Sequence, residues 1–187
     1  TLSGGMAFTV NAFSGDLNTD VYNLNMSMTL TNMVAKDATG SVTTNASMSA
    51  SMSSTGPHAT TFSITTSSYT TVSTRAGVIY TRSLTDFTAS QTTTPTQTGH
   101  TISKLASGTL SSSGLKSRSV VFATLAPFAR SDRQNFPTSG QATATGAGGG
   151  KIRVTAQNDG STVLVELDAD GNGIYEASKT KSWAELR

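Results

Sequence analysis

Residues Lys151 to Leu186 read KIRVTAQNDGSTVLVELDADGNGIYEASKTKSWAEL and contain the most complete structural pattern in the chain. Two runs of alternating apolar residues meet at Asn158-Asp159-Gly160, and such a tripeptide between two alternating runs is typical of a tight turn. A second turn signal, Asp168 to Gly173, follows, and the segment ends near the only tryptophan, Trp183. The segment therefore predicts a β-hairpin followed by a polar turn.

The same alternation occurs toward the N-terminus, where apolar residues alternate with hydroxyl and amide residues. It is clearest in Val21 to Val34, where the apolar positions are two residues apart, as in a half-buried strand. Further strands are predicted at Met6–Ala12, Val42–Met52, Thr61–Val72, Ala76–Phe87, Ile102–Leu110 and Leu115–Leu125. The polar, proline-containing segment Gln91 to Gly99 is predicted to be an exposed loop, and Ala126 to Gly150 a long loop or a short strand at Gln141 to Thr145 between turns.

No stretch has the spacing of apolar residues that an amphipathic helix requires, and antiparallel strands need no helical crossovers. The predicted fold class is therefore all-β: an antiparallel meander, a sandwich or a curved open sheet, with Ser/Thr-rich strands and little or no helix. Residues 1–126 are expected to form a Ser/Thr-rich antiparallel region. Residues 127–187 are expected to form a C-terminal hairpin region packed on the same sheet, within a single domain.

The composition excludes several function classes. Charged residues make up 13% of the chain, about half the usual share, and the net charge of +2 comes from scattered lysines and arginines. No basic run interleaved with aromatic residues is present, so nucleic-acid binding is not expected. The chain has no cysteine and no apolar run near the ~20 residues that span a bilayer, so no transmembrane segment is expected. It starts at Thr1, which predicts a mature or trimmed form.

Met6, Phe8 and Val10 lie on one face of the first predicted strand. The simplest interpretation is an ordinary first strand. The alternative is an assembly strand that pairs with a neighbouring copy of the protein, because extended segments can be added to exposed sheet edges. An edge with few charges favours such pairing, since charges on edge strands normally prevent it.

A methionine-rich apolar face is predicted for the second and third strands. Its members are Leu24, Met26, Met28, Met48 and Met52. At a period of two such residues more often form a core, but methionine side chains are flexible and also suit a surface for a lipid or another apolar ligand.

Asp168-x-Asp170-x-Asn172-Gly173 matches the first half of a calcium-binding loop, with Glu176 at the ninth position. The twelfth position, normally a bidentate glutamate, is Lys179, and no flanking helices are predicted. A calcium site formed by Asp168, Asp170, Asn172 and Glu176 is thus one interpretation. An acidic turn in which Asp and Asn side chains bind their own backbone is the preferred one.

Catalytic motifs are not evident. Both histidines, His58 and His100, follow or lie beside glycine or proline in predicted loops, and no Gly-x-Ser-x-Gly elbow is present. The glycines at 146–150 lack the Lys-Ser/Thr and helix of a phosphate-binding loop. The protein is therefore predicted not to be an enzyme, and no cofactor is expected apart from calcium in the alternative interpretation of the acidic turn.

The C-terminal third resembles a group of known sequences. The residues that carry the resemblance are Pro127-Phe128, Phe136–Gly140, Lys151–Thr155, Val163–Leu167, Asp168–Gly173 with Tyr175-Glu176, and Trp183–Leu186. In this order they are similar to the C-terminal part of uncharacterised β-rich envelope or lipoprotein-type proteins of proteobacteria. The resemblance implies export through the inner membrane and no assigned activity.

These observations predict an extracytoplasmic, non-catalytic structural or surface-assembly protein that is secreted, at the cell surface or in the periplasm. Its expected partners are copies of itself, added strand by strand into a fibre. Two alternatives remain open: an envelope module that binds a lipid or other apolar ligand, and a calcium-stabilised adhesion module.

Overall fold

The computed structural model describes residues 1–116 and 118–186, and its strands form one antiparallel sheet. The eleven strands follow each other across the sheet in chain order, so every connection joins neighbours. The strands are β1 (Leu2–Asp16), β2 (Val21–Lys36), β3 (Gly40–Thr55), β4 (Thr60–Arg75), β5 (Val78–Thr96), β6 (Gly99–Ser112), β7 (Ser119–Ser131), β8 (Ser139–Gly146), β9 (Lys151–Ala156), β10 (Thr162–Asp168) and β11 (Ala177–Ser182). This confirms the all-β class and identifies the meander in an open sheet among the three predicted architectures.

Helical structure in the described residues consists of three short 3-10 turns: Leu17–Thr19, Ser113–Leu115 and Trp183–Leu186. None of them has the length or the apolar character that crossing a bilayer as a helix requires.

One loop prediction was wrong, and of the two alternatives for residues 126–150 the strand is confirmed. Residues 91–96 continue β5 to Thr96, and only the two residues before Gly99 form the turn. The segment 126–150 is not one long loop, because β7 extends to Ser131 and β8 occupies Ser139–Gly146, where the shorter strand had been the alternative. The boundary expected between residues 126 and 127 lies inside β7.

The turns use local side-chain hydrogen bonds that suit their sequences. Asp37 Oδ1 accepts hydrogen bonds from the backbone N–H groups of Thr39 at 2.7 Å and Gly40 at 3.0 Å, which closes the β2–β3 turn. Between β9 and β10, the Thr162 hydroxyl donates to Asp159 Oδ2, and the N–H groups of Ser161 and Thr162 donate to Asp159 Oδ1. The hydroxyl bond and then the two backbone bonds lower the pKa of Asp159 to about 2.

The strand register gives the sheet two chemically different faces. Residues directly opposite each other on paired strands point to the same side, so Met28, Met48 and Phe8 share a face. Following the pairs from β1 to β10 produces a face of predominantly apolar residues, here called the apolar face. The other side, here called the hydroxyl face, is rich in Ser and Thr, with contacts such as Ser51 Oγ to Ser63 Oγ at 2.7 Å.

Little of the apolar face is fully covered. The buried apolar residues of the described chain are Ala46, Ala156 and Val163, and only Val163 is completely inaccessible. The sheet curves toward this face near its C-terminal end, because Trp183, which follows edge strand β11, contacts Phe128 on β7 with ring centroids 5.9 Å apart. The best-covered part of the core therefore lies at β9 and β10.

Candidate functional site

The exposed edge of β1 is the first candidate site. All fifteen residues of this strand are exposed, including Met6 at 67%, Phe8 at 59% and Val10 at 54%. No ionisable side chain occurs between Leu2 and Gly15. Edge strands of soluble proteins are normally short, charged or covered, because their free N–H and C=O groups can pair with another chain. The outer edge of β1 has none of these protections along most of its length.

Irregularities divide β1 into segments. Asn11 is an extra residue between the pairs Val10–Met26 and Ala12–Asn25, and its Nδ2 donates to Asn25 Oδ1 at 2.9 Å. A second register shift lies before Gly5. The longest uninterrupted segment is therefore Gly5–Val10, which contains all three residues that the sequence assigned to an assembly strand.

The opposite edge, β11, has a different character. It is six residues long, carries Lys179 and Lys181, and ends in the Trp183–Leu186 turn. Lys181 Nζ donates to Glu185 Oε1 at 2.7 Å, and this bond, together with hydrogen bonds from Ser182, lowers the pKa of Glu185 to about 2. Length and charge thus protect this edge against pairing.

The predicted methionine patch lies on the apolar face. Leu24 is directly opposite Met52 and Met28 is directly opposite Met48, while Met26 faces Ala50. All five patch residues are half-buried, so they are covered from the side by neighbours in the sheet but not by a second layer. Their interpretation as a ligand surface stays a prediction.

A concavity of about 1020 Å³ lies beside one end of β1–β6. Its walls include Leu2, Val42, Leu84 and Leu110, which come from four different strands of the apolar face. Strands this far apart in the order can border one space because the sheet curves, with the apolar face on the concave side.

The predicted calcium ligands lie in the turn between β10 and β11. Oxygen atoms of Asp168, Asp170 and Glu176 lie within 4.8 Å of one another. Asp168 is fully buried, and its two carboxylate oxygens accept hydrogen bonds from the N–H groups of Gly171 at 2.8 Å and Gly173 at 3.0 Å.

The other residues of this turn also bind their own backbone. Glu176 Oε2 accepts from the N–H of Ala169 at 2.8 Å, and Asn172 Oδ1 accepts from the N–H of Ile174 at 2.7 Å. Asp170 Oδ1 likewise accepts from the N–H of Asn172 at 3.1 Å. Every acidic side chain of the turn thus caps a backbone N–H group, as the preferred interpretation of the sequence expects. A calcium site here stays a prediction.

Two features could not be predicted from the sequence because they depend on the fold. His58, in the β3–β4 turn, stacks on His100 at the start of β6 with ring centroids 5.1 Å apart, and His100 Nδ1 lies 3.5 Å from Asp132 Oδ2. Lys104 on β6 lies near Trp183, which follows β11. Only the pairing register and the curvature bring such distant positions together, so no local motif signals either group.

Comparison with known proteins finds no matching family model, no matching curated protein and no matching solved structure. The function must therefore be argued from the sheet itself.

Proposed function

We propose that the protein is a non-catalytic structural protein that associates with copies of itself by pairing β1 strands. The observation that carries this proposal is the edge of β1: it is exposed along its whole length, apolar at Met6, Phe8 and Val10, and free of ionisable residues from Leu2 to Gly15. Pairing of such an edge satisfies its free backbone groups and covers apolar side chains in one step.

The two edges favour a closed pair over a fibre. A fibre needs β1 to pair with β11 of the next copy, but β11 offers six residues and two lysines. Pairing of β1 with β1 of a second copy is isologous, so both partners contribute the same uncharged edge and the assembly stops at two copies. In an antiparallel arrangement centred on Phe8, Met6 of each copy lies opposite Val10 of the other, which places apolar side chains across from each other on one face.

We propose that this assembly takes place outside the cytoplasm, at the cell surface or in the periplasm. The resemblance of the C-terminal third to envelope proteins and the low charge of the hydroxyl-rich strands support this location. Cell fractionation of the full-length protein in its own host tests it, with recovery in the cytoplasmic fraction as the contrary result.

Self-association is tested by sedimentation velocity over a range of protein concentrations. We expect a dimer that dissociates on dilution. Val10→Lys places a charge on the edge strand and should weaken dimerisation at least about ten-fold, or about 1.4 kcal/mol. Val121→Lys is the matched control, because Val121 is 53% exposed, compared with 54% for Val10, but lies in β7, far from either edge.

The outcomes separate the alternatives. A monomer at all concentrations overturns the proposal, as does a dimer that Val10→Lys leaves intact. Long fibres that Val10→Lys abolishes would show that β1 pairs with the opposite edge instead, and the closed two-fold arrangement would be wrong.

A further inference from the structure

A trough of about 500 Å³ crosses the apolar face at its centre, away from both edges. Its floor and walls come from five consecutive strands, β4–β8, and the apolar residues that line it include Phe62, Ile64, Ala89, Ala106, Phe122 and Ala142. The volume lies within the range of small-molecule sites, which are typically apolar with a few polar groups that fix orientation.

A cation lies on the rim of the trough. Lys104 lines the trough and also lines a neighbouring concavity of about 300 Å³, and Phe128 is shared by the two in the same way. Lys104 has no hydrogen-bond or ion-pair partner within residues 1–116 and 118–186. The second concavity also contains Arg130, and no acidic residue of the described chain lines either concavity. The combined site is therefore apolar along its length and positive at one end.

An unsatisfied donor lies at the same end. Trp183 lines the smaller concavity, where its ring packs edge-on against Phe128 and stacks on Phe136 at a centroid distance of 6.4 Å. Its Nε1–H is shielded from solvent and lacks an acceptor in the described part of the chain. A buried indole N–H normally has a partner, because leaving it unpaired costs free energy.

The turn that holds Trp183 is fixed by a separate set of contacts. Glu185 Oε2 accepts hydrogen bonds from the N–H of Ser182 at 2.8 Å and from its hydroxyl at 3.0 Å, and Trp183 N–H donates to Ser161 O. The indole is thus held in place by the backbone, and its free N–H is a feature of a well-fixed turn.

We propose that this site binds a single-chain anionic amphiphile, a long-chain carboxylate, with the acyl chain in the trough and the carboxylate at Lys104. The unpaired cation of Lys104 matches a carboxylate, and the Phe- and Ala-lined trough matches an alkyl chain. The site lies on β4–β8 and the C-terminal turn, so it is independent of the β1 edge and goes beyond the proposed self-association.

Binding is tested with cis-parinaric acid, a fluorescent long-chain carboxylate whose emission rises in an apolar environment. We expect saturable binding near one molecule per chain and energy transfer from Trp183, the only tryptophan. Palmitate should displace the probe, and hexadecanol, which has a similar chain but no charge, should displace it about ten-fold less well.

Variants locate the two ends of the ligand. Lys104→Gln should weaken palmitate binding about ten-fold while leaving hexadecanol unchanged, and Ala142→Phe, which fills the trough, should weaken both. Lys151→Gln removes the same charge from β9, where Lys151 pairs with Thr145 and Asp168 on the hydroxyl face, and should change neither. Circular dichroism checks that each variant keeps its sheet.

Several results would overturn the inference. These are the absence of saturable probe binding, equal effects of Lys104→Gln and Lys151→Gln, and unchanged affinity in Ala142→Phe. Binding only to vesicles of an anionic phospholipid, without binding of free palmitate, would also overturn the single-chain occupant. Val10→Lys should keep full affinity for palmitate, so failure of the dimer and failure of this site are distinguishable.

Discussion

Val163 provides the most direct test of where this single-layer sheet has its core. Its side chain is completely inaccessible, whereas most residues of the apolar face keep part of their surface exposed. It lies on β10 opposite Ala156 on β9, itself only 8% exposed. Val163→Ala should therefore destabilise the protein more than truncation of any exposed valine.

The size of the effect follows from the groups removed. Deleting two buried methyl groups costs about 1.6 kcal/mol at about 0.8 kcal/mol each. The cavity left between the strands adds up to about 1 kcal/mol, because the backbone around it relaxes only in part. The expected loss in unfolding free energy is about 1.6–2.6 kcal/mol.

Val121→Ala is the matched control. The substitution is identical, both positions lie within strands, and both variants lose the same intrinsic preference of valine for a strand. Since Val121 is 53% exposed, its truncation should cost less than about 0.8 kcal/mol.

The assay is urea unfolding followed by circular dichroism, with both variants made in the Val10→Lys background. A monomeric background removes the contribution that association makes to apparent stability. The slope of unfolding free energy against urea should stay constant, so that midpoint shifts report stability. If the losses of unfolding free energy in Val163→Ala and Val121→Ala agreed within about 0.5 kcal/mol, the assignment of the core to β9 and β10 would be refuted.

Three further results are expected. Gly140→Ala should destabilise the protein by at least about 2 kcal/mol in urea unfolding, because Gly140 has φ +126° and an added Cβ would lie 2.5 Å from Phe128 Cα; an unchanged midpoint would contradict this. Glu185 has a lowered pKa of about 2, so its contribution is complete above its unfolded pKa of about 4.3 and is lost as pH falls toward about 2. Trp183 emission should shift to the red over that interval, and Glu185→Gln should show the shifted emission already at neutral pH. Asp168→Ala should cost about 2–3 kcal/mol, because it removes the charged acceptor of the Gly171 and Gly173 N–H groups from a fully buried position. The melting temperature of the unaltered protein should be equal in calcium and in EDTA; an increase in calcium would instead support the metal site.

The strands could be predicted because apolar residues recur at every second position along them. In β2, apolar Leu24, Met26 and Met28 alternate with Asn25 and Ser27, and the structure places the two sets on opposite faces. The hairpin of β9 and β10 was predicted in the same way, because alternation on both sides of a turn sequence fixes the pairing. These signals are local, so one sequence is enough to detect them.

Pro95 shows why the end of β5 could not be predicted. Proline lacks an N–H and normally argues against a central strand. In this sheet β4 begins at Thr60, opposite Thr93, so β5 beyond that point pairs only with β6, where Pro95 lies opposite His100. Pro95 therefore lies at a local edge, where the missing donor costs nothing. The relative lengths of neighbouring strands decide this, and no local pattern encodes them.

The candidate sites also differ in whether local sequence or the fold determines them. The uncharged stretch around Phe8 is visible in the sequence, because the absence of charge is a property of this one strand alone. The cluster of Lys104, Phe128 and Trp183 is not, because it depends on the curvature that brings the turn after β11 over β7. Bulges such as the one at Asn11 also shift which positions face the apolar side, from Val10 to Phe13 and not to Ala12, and a period of two does not predict where they occur.

The shape of the sheet makes its two proposed contacts complementary. Pairing of β1 strands extends the apolar face sideways and covers the backbone edge, but it adds no layer over the face. The acyl chain of a ligand in the trough at Phe122 covers part of the apolar face, but it leaves the β1 edge free. A single-layer sheet whose only fully inaccessible apolar side chain is Val163, within the described residues, needs both kinds of cover. Because the two contacts act on different surfaces, each can form without the other.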